Sequence, residues 1–246
     1  MSKEVKVFRN REAMNQALAR DIAGQMQEKT KFGADFHLVL TGGSTPKPLY
    51  RLLGSEYSDK INWRHIHLYW GDERYVPHDH SDSNYRMANV ALLNHIGIPD
   101  TNVHPMPTGY DRPEIAAENY SDELRQIFPE YSNTIPRFDL VLLGMGGDGH
   151  FASLFPNHAL LEEKEQLVGV VNDSPKPPPT RLTMTLPVIN AAKRIYFLVA
   201  GGNKANAIKM VLDETTPSHE YPASFVKPEK GEITWWLDEA AAGRLQ

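Results

Sequence analysis

Short apolar runs alternate along the chain with segments whose apolar residues recur at helical spacing. The apolar runs predict buried β-strands at residues 36–40, 66–70, 140–143, 167–171 and 195–200. Helical spacing predicts helices at residues 13–27 and, opened by Pro113, at residues 113–127. Strands that alternate with helices of this length predict an α/β fold, with a mostly parallel central sheet and helices on both faces.

The rest of the pattern indicates no boundary between domains. Residues 233–242 predict a strand that runs into a short helix, and no internal repeat or flexible linker interrupts the chain. We interpret the proline-rich residues 174–179 as a stiff surface connection without a role, because strand and helix patterning resumes directly after them. The expectation is a single domain over residues 1–246.

Composition narrows the possible functions. The 246 residues are 41% hydrophobic and 23% charged, which is typical of a soluble globular protein. A net charge of -5 without a run of Lys or Arg argues against a nucleic-acid partner. The absence of cysteine excludes disulfides, cysteine nucleophiles and cysteine-bound metals. With neither an apolar signal sequence nor an apolar run that could span a bilayer, we expect a cytoplasmic protein without a membrane partner.

A glycine turn after the strand at residues 36–40 is a candidate phosphate site. It contains Gly43, Ser44 and Thr45, with Thr45 predicted as the helix N-cap and Pro46 as the first helical residue. Free backbone N–H groups and two hydroxyls would then face an anion. The Gly-Lys-Ser/Thr of a Walker P-loop is missing, which argues against a nucleoside triphosphate. The alternative is an ordinary capped turn.

Three basic residues follow other strands or loops of the predicted sheet. Arg74, beside Asp72, comes directly after the strand at residues 66–70, and its guanidinium suits a phosphate dianion. Lys204 precedes a predicted helix, and Arg181 follows the proline-rich residues. Ligands of such sheets gather at the carboxyl ends of the strands, so these residues are further candidates for phosphate binding.

The glycine-rich stretch at residues 144–156 follows another strand and fits the G-x-G-x-x-G pattern of dinucleotide-binding proteins. Two features argue against a nucleotide. Pro156 and Asn157 allow only a short helical segment, and the negative charge of Asp148 would oppose a pyrophosphate. What remains is a turn that presents His150 next to carboxylates, which is typical of a general-base site.

Together these motifs resemble the 6-phosphogluconolactonase family, within a larger group that includes glucosamine-6-phosphate deaminase. The matching stretches are residues 42–46, 72–74, 142–156, 181–185, 202–205 and 221–224. The resemblance implies a Rossmann-like α/β fold of the NagB type and hydrolysis of the sugar-phosphate lactone 6-phospho-D-glucono-1,5-lactone in the oxidative pentose phosphate pathway. It implies no metal or other cofactor.

The resemblance also implies roles for particular residues. His150 would be the base, and the phosphate would be surrounded by Ser44, Thr45, Arg74, Arg181 and Lys204. Apart from the resemblance, we expect Asp148 or Asp72 to orient the imidazole ring, and the sequence does not choose between them. Imidazole, with an ordinary pKa of about 6.5, suits proton transfer to and from water near neutral pH.

Other functions stay open at this stage. The deaminases carry Asn-Glu-Pro after the histidine motif, where this chain has Ser153-Leu-Phe-Pro156, which favours the lactonase. A metal site at His65 and His67, or at His78 and His80, lacks further ligands at suitable spacing. A sugar-phosphate-binding regulator without turnover is the alternative outside enzymes. The oligomeric state cannot be read from the sequence.

Overall fold

The computed structural model describes residues 3–128, 135–213 and 216–245. The strands are β1 Lys3–Phe8, β2 Phe36–Leu40, β3 Ile66–Trp70, β4 Asp72–Arg74, β5 Val103–His104, β6 Leu140–Gly144, β7 Val168–Val171, β8 Arg181–Met184, β9 Arg194–Val199 and β10 Glu232–Asp238. The helices are α1 Arg11–Thr30, α2 Lys47–Glu56, α3 Asn84–Ala91, α4 Pro113–Ile127, α5 Leu186–Asn190, α6 Ala205–Asp213 and α7 Glu239–Ala242.

The predicted central sheet is confirmed. Seven strands pair in the order β1-β10-β9-β6-β2-β3-β5, and all of these neighbours are parallel. The central strands are apolar along almost their whole length because helices cover the sheet, and Leu38, Val39 and Leu40 of β2 have no exposed surface. Among the described residues, no helix is both long and apolar enough to cross a bilayer.

A second sheet of three antiparallel strands, in the order β4-β8-β7, was not predicted. The chain leaves the central sheet at Gly71, whose N–H donates to Leu40 of that sheet while its carbonyl accepts from Met184 of β8 (2.9 and 2.8 Å). Asp72–Arg74 is therefore a separate strand and not the end of β3. The predicted strand at residues 167–171 is β7 of this second sheet, so it does not extend the parallel one.

The start of α2 differs from the prediction. The helix begins at Lys47, its N-cap is Pro46, and no side chain caps it. The prediction of Thr45 as N-cap is wrong because Ser44, Thr45 and Pro46 form a separate turn before the helix. Gly43 precedes this turn and has a φ of 93°, which favours glycine. The first helical hydrogen bond runs from the Tyr50 N–H to the Pro46 carbonyl (3.0 Å).

Candidate active site

A cavity of about 460 Å³ opens at the carboxyl ends of the central strands. Parallel strands bring the loops that follow them to one edge, which is why motifs far apart in the sequence meet here. All the predicted site residues except Asp148 line this cavity, namely Gly43, Ser44, Thr45, Asp72, Arg74, His150, Arg181 and Lys204. Asp148 lies behind His150 and contacts it directly.

His150 and Asp148 form a hydrogen-bonded pair in the turn after β6. His150 Nδ1 and Asp148 Oδ1 are hydrogen-bonded, and the same oxygen accepts from the His150 backbone N–H (3.3 Å). The turn is closed by a bond from the Gly146 N–H to the His150 carbonyl (2.8 Å). A side chain at Gly146 would overlap the His150 ring and the Asp148 carboxylate, so glycine is needed there.

The surroundings of Asp148 keep its carboxylate ionised. Burial by itself would raise the pKa of Asp148, but the hydrogen bond and charge of His150, with the charge of Lys176, outweigh it and hold that pKa well below its usual range. Lys176 Nζ lies 3.3 Å from Asp148 Oδ2. An ionised Asp148 accepts from Nδ1–H, which directs the lone pair of the imidazole to Nε2.

Asp72, the other carboxylate considered for orienting the ring, lies in the cavity wall and is 5% exposed. Its Oδ2 accepts from the Ser153 hydroxyl (2.7 Å) and its Oδ1 from the Asn84 amide (3.2 Å). The carboxylate that bonds the His150 ring is Asp148, while Asp72 is bonded to Ser153 and Asn84.

Glu73, between Asp72 and Arg74, has a structural part. Its buried carboxylate accepts from the backbone N–H groups of Asn84 and Tyr85 (both 2.7 Å), at the start of α3. Burial raises the pKa of Glu73, and these backbone bonds oppose that rise. A carboxylate at a helix N-terminus fixes α3, which in turn presents Asn84 to Asp72.

The two predicted arginines face each other across β4 and β8. Arg74 donates to the Asp82 carbonyl (2.7 Å), and its buried Nε has no hydrogen-bond partner among the described residues. Arg181, although it follows a loop, is only 4% exposed. Burial lowers the pKa of Arg181, and the charge of Arg74 adds to this, while Asp72 opposes it. Lys204 lies immediately before α6. Together Arg74, Arg181 and Lys204 form what we call the basic wall of the cavity.

The structure corrects the interpretation of residues 174–179, which we call the strap. Two residues of the strap, Lys176 and Pro177, line the cavity. Lys176 Nζ is 3.1 Å from His150 Nδ1. Arg181 anchors the strap by donating to the carbonyl groups of Lys176 (2.9 Å) and Pro178 (3.2 Å). A proline-rich sequence indicates a stiff loop but does not say over which site it folds.

Sequence reasoning also missed Arg11 and Asn84, both of which line the cavity, and the buried hydroxyl of Ser153. Arg11 begins α1 and donates to the Ser44 carbonyl (3.1 Å). Asn84 begins α3. A polar residue at the start of a helix is usual, so nothing in the local pattern marks either of them.

The histidines considered as metal ligands have other partners. His65, in the turn before β3, contacts Asp35 (2.8 Å), and His67 contacts His104 (3.1 Å). His78 contacts the Met106 carbonyl (2.9 Å), and His80 accepts from the Asp82 N–H (3.1 Å). Within the described ranges, no group of three or more His, Cys, Asp or Glu side chains is arranged to hold a metal ion.

The chain is similar, over most of its length, to two proteins named 6-phosphogluconolactonase. A protein of Synechocystis sp. named 6-phosphogluconolactonase is 44% identical over 209 residues, 85% of this chain and 84% of that protein. A protein of the same name from Nostoc sp. is 40% identical and matches 100% of this chain and 99% of that protein.

The fold is also similar to that of a solved structure. The crystal structure of 6-phosphogluconolactonase from Leishmania guyanensis is 29% identical and superposes with a TM-score of 0.89, covering 100% of both chains. Residues 9–235 match the family described as glucosamine-6-phosphate isomerases/6-phosphogluconolactonase. Sequence and fold agree, and the chain belongs to this family of glucosamine-6-phosphate isomerases/6-phosphogluconolactonase.

Proposed function

We propose that the protein hydrolyses 6-phospho-D-glucono-1,5-lactone to 6-phospho-D-gluconate, with His150 as general base and without a metal ion. The observation that carries this proposal is the Asp148–His150 pair at the wall of a cavity whose other side is basic. A lactone ester needs one base and one water, and a phosphorylated sugar needs cations to hold it.

Asp148 sets the tautomer of the His150 imidazole. Because Asp148 accepts from Nδ1–H, the unprotonated nitrogen of the imidazole is Nε2, which we infer faces the substrate. Fixing the ring in this tautomer and orientation is the work that a carboxylate does behind a catalytic histidine. Asp148 is therefore a positioning residue in this mechanism, and His150 is the residue that exchanges the proton.

The reaction proceeds in two steps. Nε2 of His150 removes a proton from water as the water oxygen bonds to C1, which gives a tetrahedral intermediate with an anionic oxygen. The bond from C1 to the ring oxygen then breaks, and the imidazolium returns its proton to that ring oxygen, which becomes a hydroxyl. The new carboxylic acid loses a proton to solvent, so each turnover releases one proton.

The basic wall would bind the phosphate and so position the substrate. The turn of Gly43, Ser44 and Thr45, with Arg74, Arg181 and Lys204, would hold the phosphate and fix C1 near His150. Arginine is suited to this task because its planar guanidinium binds two phosphate oxygens at once. The phosphate is carried on C6, outside the ester bond that breaks, so loss of these side chains would affect binding more than bond cleavage.

The residues after His150 support a lactonase over a deaminase. Where the deaminases carry a glutamate, this chain has Leu154 next to Phe155, and both are buried. The Phe155 ring packs against the His150 ring with centroids 4.8 Å apart. An apolar wall here offers no second proton carrier, which ring opening of an amino sugar requires and lactone hydrolysis does not.

The test is hydrolysis of freshly generated lactone, followed as proton release above the spontaneous rate, with ammonia release from glucosamine 6-phosphate measured in parallel. We expect acceleration of the first reaction alone, unchanged after treatment with a chelator. The His150→Ala variant should lose ~10²–10⁴-fold in kcat, the usual contribution of a general base. Ammonia release, or near-normal turnover by His150→Ala, would contradict the proposal.

A further inference from the structure

Lys176 lines the site but is used neither by the motifs nor by the mechanism above. Its Nζ lies 3.1 Å from His150 Nδ1 and 3.3 Å from Asp148 Oδ2, so the ammonium group touches both members of the pair. Nδ1–H already points to Asp148 and has no lone pair for a second donor. Lys176 therefore acts on the ring as a neighbouring positive charge.

Hydrogen bonds to the N–H and the carbonyl of Lys176 fix the backbone of the strap at this residue. The Lys176 carbonyl accepts from the Arg181 guanidinium (2.9 Å) and from the Ser174 hydroxyl (2.8 Å), and its N–H donates to the same hydroxyl (3.2 Å). Arg181 is anchored in β8 and almost fully buried. A surface lysine needs no such fixation of its backbone, whereas a charge that must sit at a given distance from a ring does.

We propose that Lys176 is a positioning residue that sets the proton affinity of the Asp148–His150 pair, an inference that rests on the proposed function of His150. Asp148 stabilises the imidazolium form, and the adjacent ammonium opposes it. The ammonium thus offsets part of the stabilisation that the Asp148 carboxylate gives to the imidazolium form. The imidazolium formed in the first step also gives its proton back to the ring oxygen more readily.

Other charged groups line the same cavity as this pair, and they remain present when Lys176 is replaced. They are Lys204 before α6, Asp72 and Arg74 of β4, Arg181 of β8 and Arg11 of α1. Burial lowers the pKa of Lys204, and the charge of Lys176 adds to this while Asp148 opposes it. Removing Lys176 takes away the ammonium group that contacts Asp148, so we expect His150 to bind its proton more tightly.

The experiment compares Lys176→Met with Lys176→Arg, which keeps the charge, and with Lys209→Met, which removes an exposed cation from α6. For Lys176→Met we expect the acidic limb of kcat/KM to move to higher pH by roughly one unit, the size of effect that one half-exposed charge at contact distance produces. The rate should fall about tenfold below the limb and change little above it. Lys176→Arg should restore most of the wild-type profile.

A titration without substrate separates this inference from the proposed function. The His150 ring signals, assigned in NMR spectra with a His150→Gln variant, are followed against pH in the wild-type protein and in Lys176→Met. The midpoint should rise in Lys176→Met and stay in Lys209→Met, whether or not the lactone is turned over. An unmoved midpoint, or a rate lost equally at all pH values, would overturn the role of Lys176. An inactive wild-type protein with a moved midpoint would refute only the lactonase function.

Discussion

Arg74 of β4 and Arg181 of β8 are direct partners across an antiparallel pair of strands. Like charges at facing positions destabilise a sheet, and the buried Nε of Arg74 lacks a partner among the described residues. An anion bound by the two guanidinium groups would offset both costs. This arrangement, more than the presence of arginines as such, supports a phosphate at this wall of the cavity.

If Arg74 binds the phosphate, Arg74→Met should raise KM for the lactone by about 10–100-fold with a smaller change in kcat, because a lost charged hydrogen bond costs about 1.5–3 kcal/mol. Inorganic phosphate should raise the melting temperature of the wild-type protein and have little effect on Arg74→Met. Arg20→Met, at an exposed position of α1, is the control. Equal stabilisation of Arg74→Met by phosphate would place the anion elsewhere.

Gly146→Ala should separate activity from folding. The new methyl group would overlap the His150 ring and the Asp148 carboxylate, so one of them must move. We expect kcat to fall by at least ~10²-fold, as on loss of the base, while circular dichroism stays native. Gly24→Ala in α1 is the control because nothing lies within 4 Å of the added carbon. Wild-type turnover by Gly146→Ala would mean that the pair tolerates displacement.

Ser153→Ala tests the support of Asp72. Ser153 has no exposed surface, and its hydroxyl donates to Asp72 Oδ2 at 2.7 Å. Without it a buried carboxylate oxygen loses its donor, so the free energy of unfolding should fall by about 1–3 kcal/mol in urea denaturation at neutral pH. Ser55→Ala, at an exposed position of α2, should change it by less than about 0.5 kcal/mol. Equal effects of the two substitutions would show that the bond to Asp72 contributes little.

The stability of the fold should depend on pH through His37, which lies in β2. Burial, together with the charge of His67, lowers the pKa of His37 to about 4, against the opposing charge of Asp139. The folded protein therefore binds this proton less readily than the unfolded chain, whose imidazole pKa is about 6.5. Above that value both states are neutral and pH has no effect through this group.

Between pH 6.5 and pH 4 the unfolded chain gains a proton that the folded protein resists, so His37 should cost stability progressively, on the order of 3 kcal/mol by the lower limit. Below pH 4 both states are protonated and the loss is complete. Urea denaturation across this range should show a flatter pH dependence for His37→Gln than for the wild-type protein. Parallel curves for the two proteins would exclude His37 as the source.

Several local elements, and the candidate site residues that could meet at one edge of the sheet, were predictable from the sequence itself. Apolar runs and helical spacing locate β2, β3 and α4 with the bounds that the structure has, because burial on a sheet or helix face imposes a period that is visible in one segment. The residues after parallel strands meet at one edge, so Arg74, His150 and Lys204 were predictable as neighbours.

Only the tertiary structure decided how these residues contact one another. The second sheet and the facing positions of Arg74 and Arg181 depend on pairing between strands about a hundred residues apart, which no local period encodes. The bond of Ser153 to Asp72 and the position of Lys176 beside His150 depend on the path of loops between elements. Local sequence fixes which side chains are available, and long-range packing fixes the distances on which their chemistry depends.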